Sequence, residues 1–165
     1  MSEVLAPFPA NAAAEERLAL DHYLPYRLSV ASNAVSRLIA RAYEDRFGLT
    51  IPQWRLMAVL AEDGALTPGA LVARTAMDKV TISRAAQGLL RRHLIGRDAH
   101  EADGRSHRLS LTAEGARLHA DIAPLALAYE AALLSGLAPG EVAALKLLLK
   151  RLEAAANRLS GEPSA

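Results

Sequence analysis

The chain contains no cysteine, so it cannot form a disulfide bond or sense oxidants through a thiol. No apolar run is long enough to cross a membrane, and residues Met1 to Asn11 carry no basic segment of the secretory kind. We therefore expect no membrane partner and a cytoplasmic location, with which the lack of cysteine is compatible.

The motifs of several enzyme classes are also missing. There is no phosphate loop of the G-x-x-x-x-G-K type, no G-x-S-x-G elbow and no H-E-x-x-H zinc motif. Five histidines are present, and none is paired with acids at metal-ligand spacing: His22, His93, His100, His107 and His119. The sequence thus predicts no enzyme, metal or cofactor, although a catalytic triad built from distant residues would leave no local motif.

The net charge of the chain is small, at +1, but the charged residues are unevenly distributed. Between Arg74 and Arg108, eight basic residues stand against four acids, so this segment carries +4 and the remainder −3. A basic segment on a slightly acidic body is typical of proteins that bind nucleic acid. With 165 residues, 52% of them hydrophobic, the chain can bury one core, and we expect a single domain over residues 1–165.

Two short helices joined by a tight turn are predicted within this basic region. Thr67 is a favourable N-cap and Pro68 suits the first position of a helix that ends near Thr75. Ala76-Met77-Asp78 then forms a three-residue turn, in which Asp78 can cap the next helix. This spacing indicates a helix-turn-helix.

The second helix, from Lys79 to about His93, has two different faces. Ile82, Ala86 and Leu89 recur at helical spacing and should point inward, whereas the opposite face is polar and basic. Arginine can donate to guanine, glutamine can pair with adenine, and threonine can touch a thymine methyl or a phosphate. The candidate DNA-binding residues of this helix are Lys79, Thr81, Ser83, Arg84, Gln87 and Arg91. The alternative is an ordinary solvated helix face.

A β-hairpin follows, with strands predicted at Ile95 to Arg97 and His107 to Leu111 and a polar connection from His100 to Ser106. Near its tip, Arg105 is a candidate for insertion into a minor groove, where the negative potential is strong. Asp103 could orient Arg105 by accepting its hydrogen bond, or the two could form a loose surface pair of negligible energy.

The ends of the chain carry narrow apolar seams of heptad type. The first seam consists of Leu24, Leu28, Ala31, Val35, Leu38 and Ala42, and the last of Val142, Leu145, Leu149, Leu152, Ala156 and Leu159. Either seam could face its own domain, but mutual packing in a homodimer accounts better for both. Pro124 lies in the helix after the hairpin, where we expect it to kink or interrupt the backbone hydrogen bonds and form a candidate hinge.

Four motifs, in this order and spacing, resemble the MarR (multiple antibiotic resistance regulator) family of transcription factors. They are Leu49-Thr50-Ile51-Pro52-Gln53-Trp54, Met77-Asp78-Lys79-Val80-Thr81-Ile82-Ser83-Arg84, Asp103-Gly104-Arg105 and Leu111-Thr112-Ala113-Glu114-Gly115. The resemblance implies a mainly α fold with a small β-wing: a winged helix-turn-helix over about 48–112, flanked by dimerisation helices over about 12–47 and 113–159. Two positions depart from the family pattern, His93 where glycine is usual and Ala138 where a Ser or Thr cap is usual. His93 can adopt a left-handed backbone at modest cost.

The resemblance also implies a function: a homodimer that binds double-stranded DNA at a palindromic operator, most simply as a repressor released by a small aromatic acid or aryl-coenzyme A thioester. Aromatic and basic groups that could enclose such a ring are Tyr23, Tyr26, Arg27 and Trp54, in a chain with only 4% aromatic residues. Core packing explains the same aromatic residues. Two alternatives to this function are a regulator that responds to no ligand and a winged helix that binds protein. The second alternative would need an apolar outer face.

Overall fold

The computed structural model describes residues 18–99 and 107–160. The chain divides into two compact units, and the boundary between Arg37 and Leu38 falls within the first helix. The prediction of a single domain over residues 1–165 stays a prediction.

The elements are six helices and two strands in the described residues, as the mainly α fold with a β-wing requires. In chain order they are α1 (Leu24–Phe47), α2 (Ile51–Asp63), α3 (Pro68–Thr75), α4 (Lys79–Arg91), β1 (Ile95–Ala99), β2 (His107–Leu111), α5 (Ala113–Leu134) and α6 (Pro139–Ser160). The predicted winged helix-turn-helix fold is therefore confirmed.

Threonine residues form the N-caps of three of these helices. Thr50 forms a full capping box, in which its hydroxyl accepts from the N–H of Gln53 and the Gln53 side chain accepts from the N–H of Thr50. The Thr67 hydroxyl accepts from the N–H of Ala70, as expected for the predicted cap, and Thr112 caps α5 in the same way. Local sequence therefore determines where α2, α3 and α5 begin.

The last helix begins without a hydroxyl cap, because Ala138 stands at that position. The backbone N–H of Ala138 instead donates to the carboxylate of Glu141 at 2.8 Å, and Pro139 occupies the first helical position. Glu141 thus satisfies one of the amide groups that a helix start leaves without a partner.

The wing is an antiparallel pair in which Ile95 lies opposite Leu111 and Ala99 opposite His107. The outer edge of strand β2 also forms hydrogen bonds. Leu66 and Leu109 exchange two backbone hydrogen bonds of 3.0 and 2.8 Å, and the Arg108 guanidinium donates to the carbonyl of Ala65. The segment before α3 and the wing are therefore joined directly.

One core fills the space between α2, α3, α4 and the sheet. Ile82, Ala86 and Leu89 are buried, as the helical spacing predicts. The rest of the buried cluster comes from several elements and includes Tyr43, Leu49, Leu56, Met57, Val59, Leu60, Leu71, Met77, Leu94, Ile95, Leu109 and Ile122. Burial of these apolar side chains is the main source of stability for the winged region.

Two element boundaries differ from the sequence prediction. Helix α4 ends at Arg91, two residues before His93, because His93 turns into the left-handed region with φ 54°. Strand β1 continues two residues past Arg97 to Ala99. Helix α5 contains Pro124 and runs to Leu134, as the sequence indicated, and the kink and hinge expected at the proline stay predictions.

Helix α6 has no buried residue in the described part of the chain, although its sequence is rich in leucine. Of the predicted seam, Leu145, Leu149 and Leu152 are 41%, 44% and 39% exposed. No described helix is long and apolar enough to span a membrane by itself, and only α5 with α6, a pair bent by 107°, meets that test jointly.

Candidate nucleic-acid interface

The turn between α3 and α4 is built by local hydrogen bonds. The buried Thr75 hydroxyl donates to the carbonyl of Leu71 at 2.6 Å and accepts from the N–H of Met77 at 3.3 Å. Ala76 between them is left-handed, with φ 52° and ψ 30°. Such a conformation costs a residue with a Cβ about 1 kcal/mol or more, so the surrounding bonds must hold it. The turn fixes where α4 begins.

Asp78 caps α4, as predicted. Its Oδ1 accepts from the N–H of Thr81 at 2.8 Å and its Oδ2 accepts from the Thr81 hydroxyl at 2.7 Å. These hydrogen bonds, from the side chain first and the backbone second, lower the pKa of Asp78. The predicted DNA-binding Thr81 is half-buried, and its hydroxyl hydrogen is used by this cap.

The outward face of α4 presents the other predicted residues. The exposed side chains are Lys79, Ser83, Arg84, Gln87 and Arg91. Within the described residues, neither Arg84 nor Arg91 forms a salt bridge or donates a hydrogen bond. Their guanidinium groups are therefore available to a ligand that carries acceptors or negative charge.

A groove of about 590 Å³ separates α4 from the wing. Its floor is apolar, with Val72, Ile82 and Leu109, and its rim carries Lys79, Ser83, Gln87, Arg97 and His107. The polar and basic rim groups can donate hydrogen bonds to the phosphate oxygens of a nucleic-acid backbone.

Arg97 and His107 are site residues that the sequence interpretation missed. Strand pairing places Arg97 opposite Leu109 and His107 opposite Ala99, so these residues share the sheet face whose Leu109 contributes to the core and the groove. The period-two pattern of the strands contains this information, but only once the pairing register is known.

Three basic residues of the +4 segment serve the fold instead. Arg74 pairs with Asp63 at 2.8 Å and Glu62 at 3.1 Å, and these carboxylates raise its pKa. Arg108 donates to the carbonyl of Ala65. The charge available on the outer surface is therefore smaller than the sequence count indicates.

Arg92 is the third, and it spans from the end of α4 to the end of α1. Its Nη1 donates to the carbonyl of Gly48 at 2.7 Å and its Nη2 to the carbonyl of Phe47 at 2.9 Å. These carbonyls lie at the C-terminal end of α1, where unpaired acceptors and the helix dipole both favour a cation. Adjacent arginines thus have different tasks, since Arg91 points outward.

The tip of the wing, with the predicted Asp103 and Arg105, lies outside the described residues. Their roles at the minor groove stay predictions.

The predicted effector residues fall in both units. Tyr23 and Tyr26 are 44% and 40% exposed, and Arg27 is exposed near the start of α1. Trp54 belongs to the second unit and lies within an aromatic cluster. Its ring stacks on His119, with centroids 5.3 Å apart and planes at 15°, and meets Tyr43 at 5.2 Å.

Burial shifts the ionisation of both neighbours of Trp54. It lowers the pKa of His119, which favours the neutral ring. It also raises the pKa of Tyr43, with a smaller contribution from Tyr129. Packing thus accounts for Trp54, while the effector role proposed for the four residues stays a prediction. Among residues 18–99 and 107–160, no cluster of His, Asp or Glu could hold a metal ion.

Comparisons with known proteins agree with this architecture. A sequence model of the MarR family matches residues 47–106. An uncharacterized HTH-type transcriptional regulator of Mycobacterium leprae (strain TN) is 30% identical over 98 residues, which make up 59% of this chain and 68% of that protein.

Solved structures show the same fold. A probable transcriptional regulator from Pseudomonas aeruginosa is 31% identical, with a TM-score of 0.75 over 81% of this chain and 99% of that chain. BpsR of Bordetella bronchiseptica is 24% identical, with a TM-score of 0.78 over 84% of this chain and 98% of that chain. From the matched sequence and the shared fold together, the chain belongs to the MarR family of transcriptional regulators and carries that family's DNA-binding winged helix.

Proposed function

We propose that this regulator binds a palindromic operator as a homodimer, with α4 of each protomer in a major groove. The observation that carries the proposal is the outward face of α4, where Arg84 and Gln87 are exposed at adjacent turns. An arginine can bond guanine O6 and N7, and a glutamine can bond adenine N6 and N7. Arg84 and Gln87 are therefore the proposed base-reading residues.

Phosphate contacts come from the flanks of this face. Lys79, Ser83 and Arg91 are exposed beside the base-reading residues. If α4 occupies a major groove and the wing the next minor groove, the DNA backbone between them passes over the groove lined by Arg97 and His107. Both side chains are proposed phosphate contacts, and Arg105 with Asp103 is proposed to act in the minor groove.

Dimerisation is supported by the apolar surface that the single chain leaves exposed. Leu24 and Leu38 of α1 are 51% and 46% exposed, and the leucines of α6 named above are 39% to 44% exposed. Apolar surface on this scale marks an interaction site in a soluble protein. A two-fold dimer covers it and presents two winged regions to a two-fold symmetric operator.

We also propose that the protein acts as a repressor and that a small aromatic acid releases it from DNA. Bordetella bronchiseptica BpsR, which shares the fold, has its DNA binding regulated by 6-hydroxynicotinic acid. Tyr23, Tyr26, Arg27 and Trp54 remain the proposed effector site, and an aryl-coenzyme A thioester is the other candidate class. A ligand acts only through different affinities for the DNA-binding form and the released form. Since the target is chromosomal DNA, the proposed location is the cytoplasm.

The test is a selection of bound duplexes from a random library, followed by fluorescence anisotropy over a salt series. We expect a palindromic consensus and a protein-to-DNA ratio of two chains per site. Arg84→Ala should weaken operator binding by about 1 to 3 kcal/mol and relax the preference at one or two base pairs. Arg158→Ala, the same change on exposed α6, is the control. Equal losses on operator and random DNA for Arg84→Ala would contradict its base-reading role.

A further inference from the structure

Val80 is an exposed aliphatic side chain on an otherwise polar surface. It keeps 59% of its area open to solvent, whereas Ile82 and Leu89 of the same helix are 2% and 0% exposed. Its neighbours on the outer surface are Lys79, Ser83 and Arg84, which are all exposed and polar.

The position of Val80 along α4 places it at the end that reads bases. It is the second residue after the N-cap Asp78, and the N-terminal residues of such a helix contact base edges in helix-turn-helix proteins. Spacings of four and seven residues put Val80 on the same side as Arg84 and Gln87. Val80 therefore lies on the proposed base-reading face.

Thr81, the neighbouring β-branched residue, is less suited to an apolar contact with a base. It is half-buried, and both its hydroxyl and its backbone N–H bond to the Asp78 carboxylate. The side chain of Val80 forms no such hydrogen bond, because it is purely aliphatic. Valine also has one strongly preferred χ1 rotamer in a helix, so its methyl groups lose little freedom when they meet a partner.

We propose that Val80 reads the C5 methyl group of a thymine in each operator half-site. Thymine is the base that presents a methyl group in the major groove, and an aliphatic side chain recognises it by excluding water from both surfaces. A cytosine at the same place offers an amino group, which gains nothing from valine. The inference rests on the proposed function, because it requires α4 to enter the major groove.

Replacing thymine by deoxyuridine removes this methyl group and leaves the base pair unchanged. We would take the selected operator, substitute each thymine in turn and measure affinity by fluorescence anisotropy. At one thymine of the half-site, wild-type protein should lose roughly three- to fivefold in affinity, the value of one buried methyl group. Val80→Ala should lose a similar factor on the thymine operator and respond little to deoxyuridine at that position.

Val30→Ala is the matched control, since Val30 is 39% exposed on α1, outside the winged region. It should show the same deoxyuridine effect as wild type. Circular dichroism checks the fold of Val80→Ala, where alanine also favours the helix. Equal wild-type affinity for all substituted operators, or an undiminished deoxyuridine effect in Val80→Ala, would overturn the inference and leave operator binding intact. A selection that yields no preferred sequence would overturn the proposed function, and the inference with it.

Discussion

Thr81 occupies both carboxylate oxygens of Asp78, its N–H at 2.8 Å from Oδ1 and its hydroxyl at 2.7 Å from Oδ2. The pair fixes the start of the DNA-binding helix α4 and keeps the carboxylate ionised, since the pKa of Asp78 is lowered by these bonds. A negative charge near the proposed DNA surface is thus held at the helix end, where the dipole favours it.

Asp78→Ala should destabilise the protein because α4 loses its cap, with a fall in Tm of about 2 to 6 °C at neutral pH. Asp78→Ser should keep most of the stability, since a serine hydroxyl can accept from the N–H of Thr81. The lowered pKa of Asp78 also determines how this difference in stability changes with pH. The advantage of wild type over Asp78→Ala is present above the ordinary value of 3.8 and is lost as pH falls below it. Thermal melts of the three proteins check the prediction, and identical Tm values for wild type and Asp78→Ala would contradict it.

Replacing Arg91 or Arg92 singly by alanine should affect different properties, DNA binding in the first case and stability in the second. Arg92→Ala removes two charge-assisted hydrogen bonds to the carbonyls of Phe47 and Gly48, so we expect a loss of about 1 kcal/mol in urea unfolding. Arg91→Ala should leave stability unchanged but weaken binding to operator and random DNA alike, as loss of a phosphate contact does. Each variant controls for the other, and a shared phenotype would show that the two roles are wrongly divided.

Gly115→Ala should be one of the more damaging single changes in the chain. A Cβ there would lie 1.9 Å from the carbonyl oxygen of Leu94, a backbone atom that also accepts from Thr112. Relieving the overlap requires movement between α5 and the sheet, and we expect a loss of about 1 to 3 kcal/mol in urea unfolding.

Gly88→Ala makes a useful contrast. Its Cβ would approach the side-chain end of Gln53 at 2.2 Å, and this side chain can rotate away at the cost of its hydrogen bond from the N–H of Thr50, without any backbone movement. Alanine also gains up to about 1 kcal/mol in helix propensity. Gly88→Ala should therefore cost less than Gly115→Ala, and Gly69→Ala, with open space around its Cβ, should cost least. The reverse order would contradict the packing described for α5.

His119 should make part of the stability depend on pH. Burial lowers its pKa below the ordinary 6.5, so the unfolded chain takes up a proton more readily than the folded protein. Stability that is present above 6.5 is then lost as pH falls through that value and the lower value of the folded state. His119→Phe keeps a ring against Trp54 but cannot titrate.

Urea midpoints at about pH 7.5 and about pH 5 test this dependence. The midpoint of His119→Phe should fall less between the two conditions than that of wild type. His22→Phe is the control, since His22 is exposed and leaves the Trp54 stack intact. An equal fall in wild type and His119→Phe would show that this ring does not contribute.

Most of the winged region was predictable because its signals are local. Caps such as Thr67 and Asp78 act within three residues, and the inward spacing of Ile82, Ala86 and Leu89 follows from helix geometry alone. The early end of α4 was not predictable in this way. At this end, Arg92 donates hydrogen bonds to two carbonyls that lie more than forty residues away in the sequence, and no local pattern predicts such contacts.

The candidate site was partly predictable for the same reason. Residues on one helix, such as Arg84 and Gln87, share a face by spacing, whereas Arg97 and His107 share a face through strand pairing. Trp54 could not be assigned from local sequence. The sequence left its role open between effector binding and core packing, because its packing partners Tyr43 and His119 lie on helices that only the fold brings together.

The bonds between Leu66 and Leu109 have a consequence for the DNA that this regulator can accept. They tie the wing to the segment that leads into the helix-turn-helix, so we expect the wing and α4 to keep a constant position relative to each other. The number of base pairs between the stretch touched by α4 and the stretch touched by the wing is then constant. In the proposed homodimer, a tolerated change in spacing would therefore fall between the two halves of the operator, where the link between protomers has to yield.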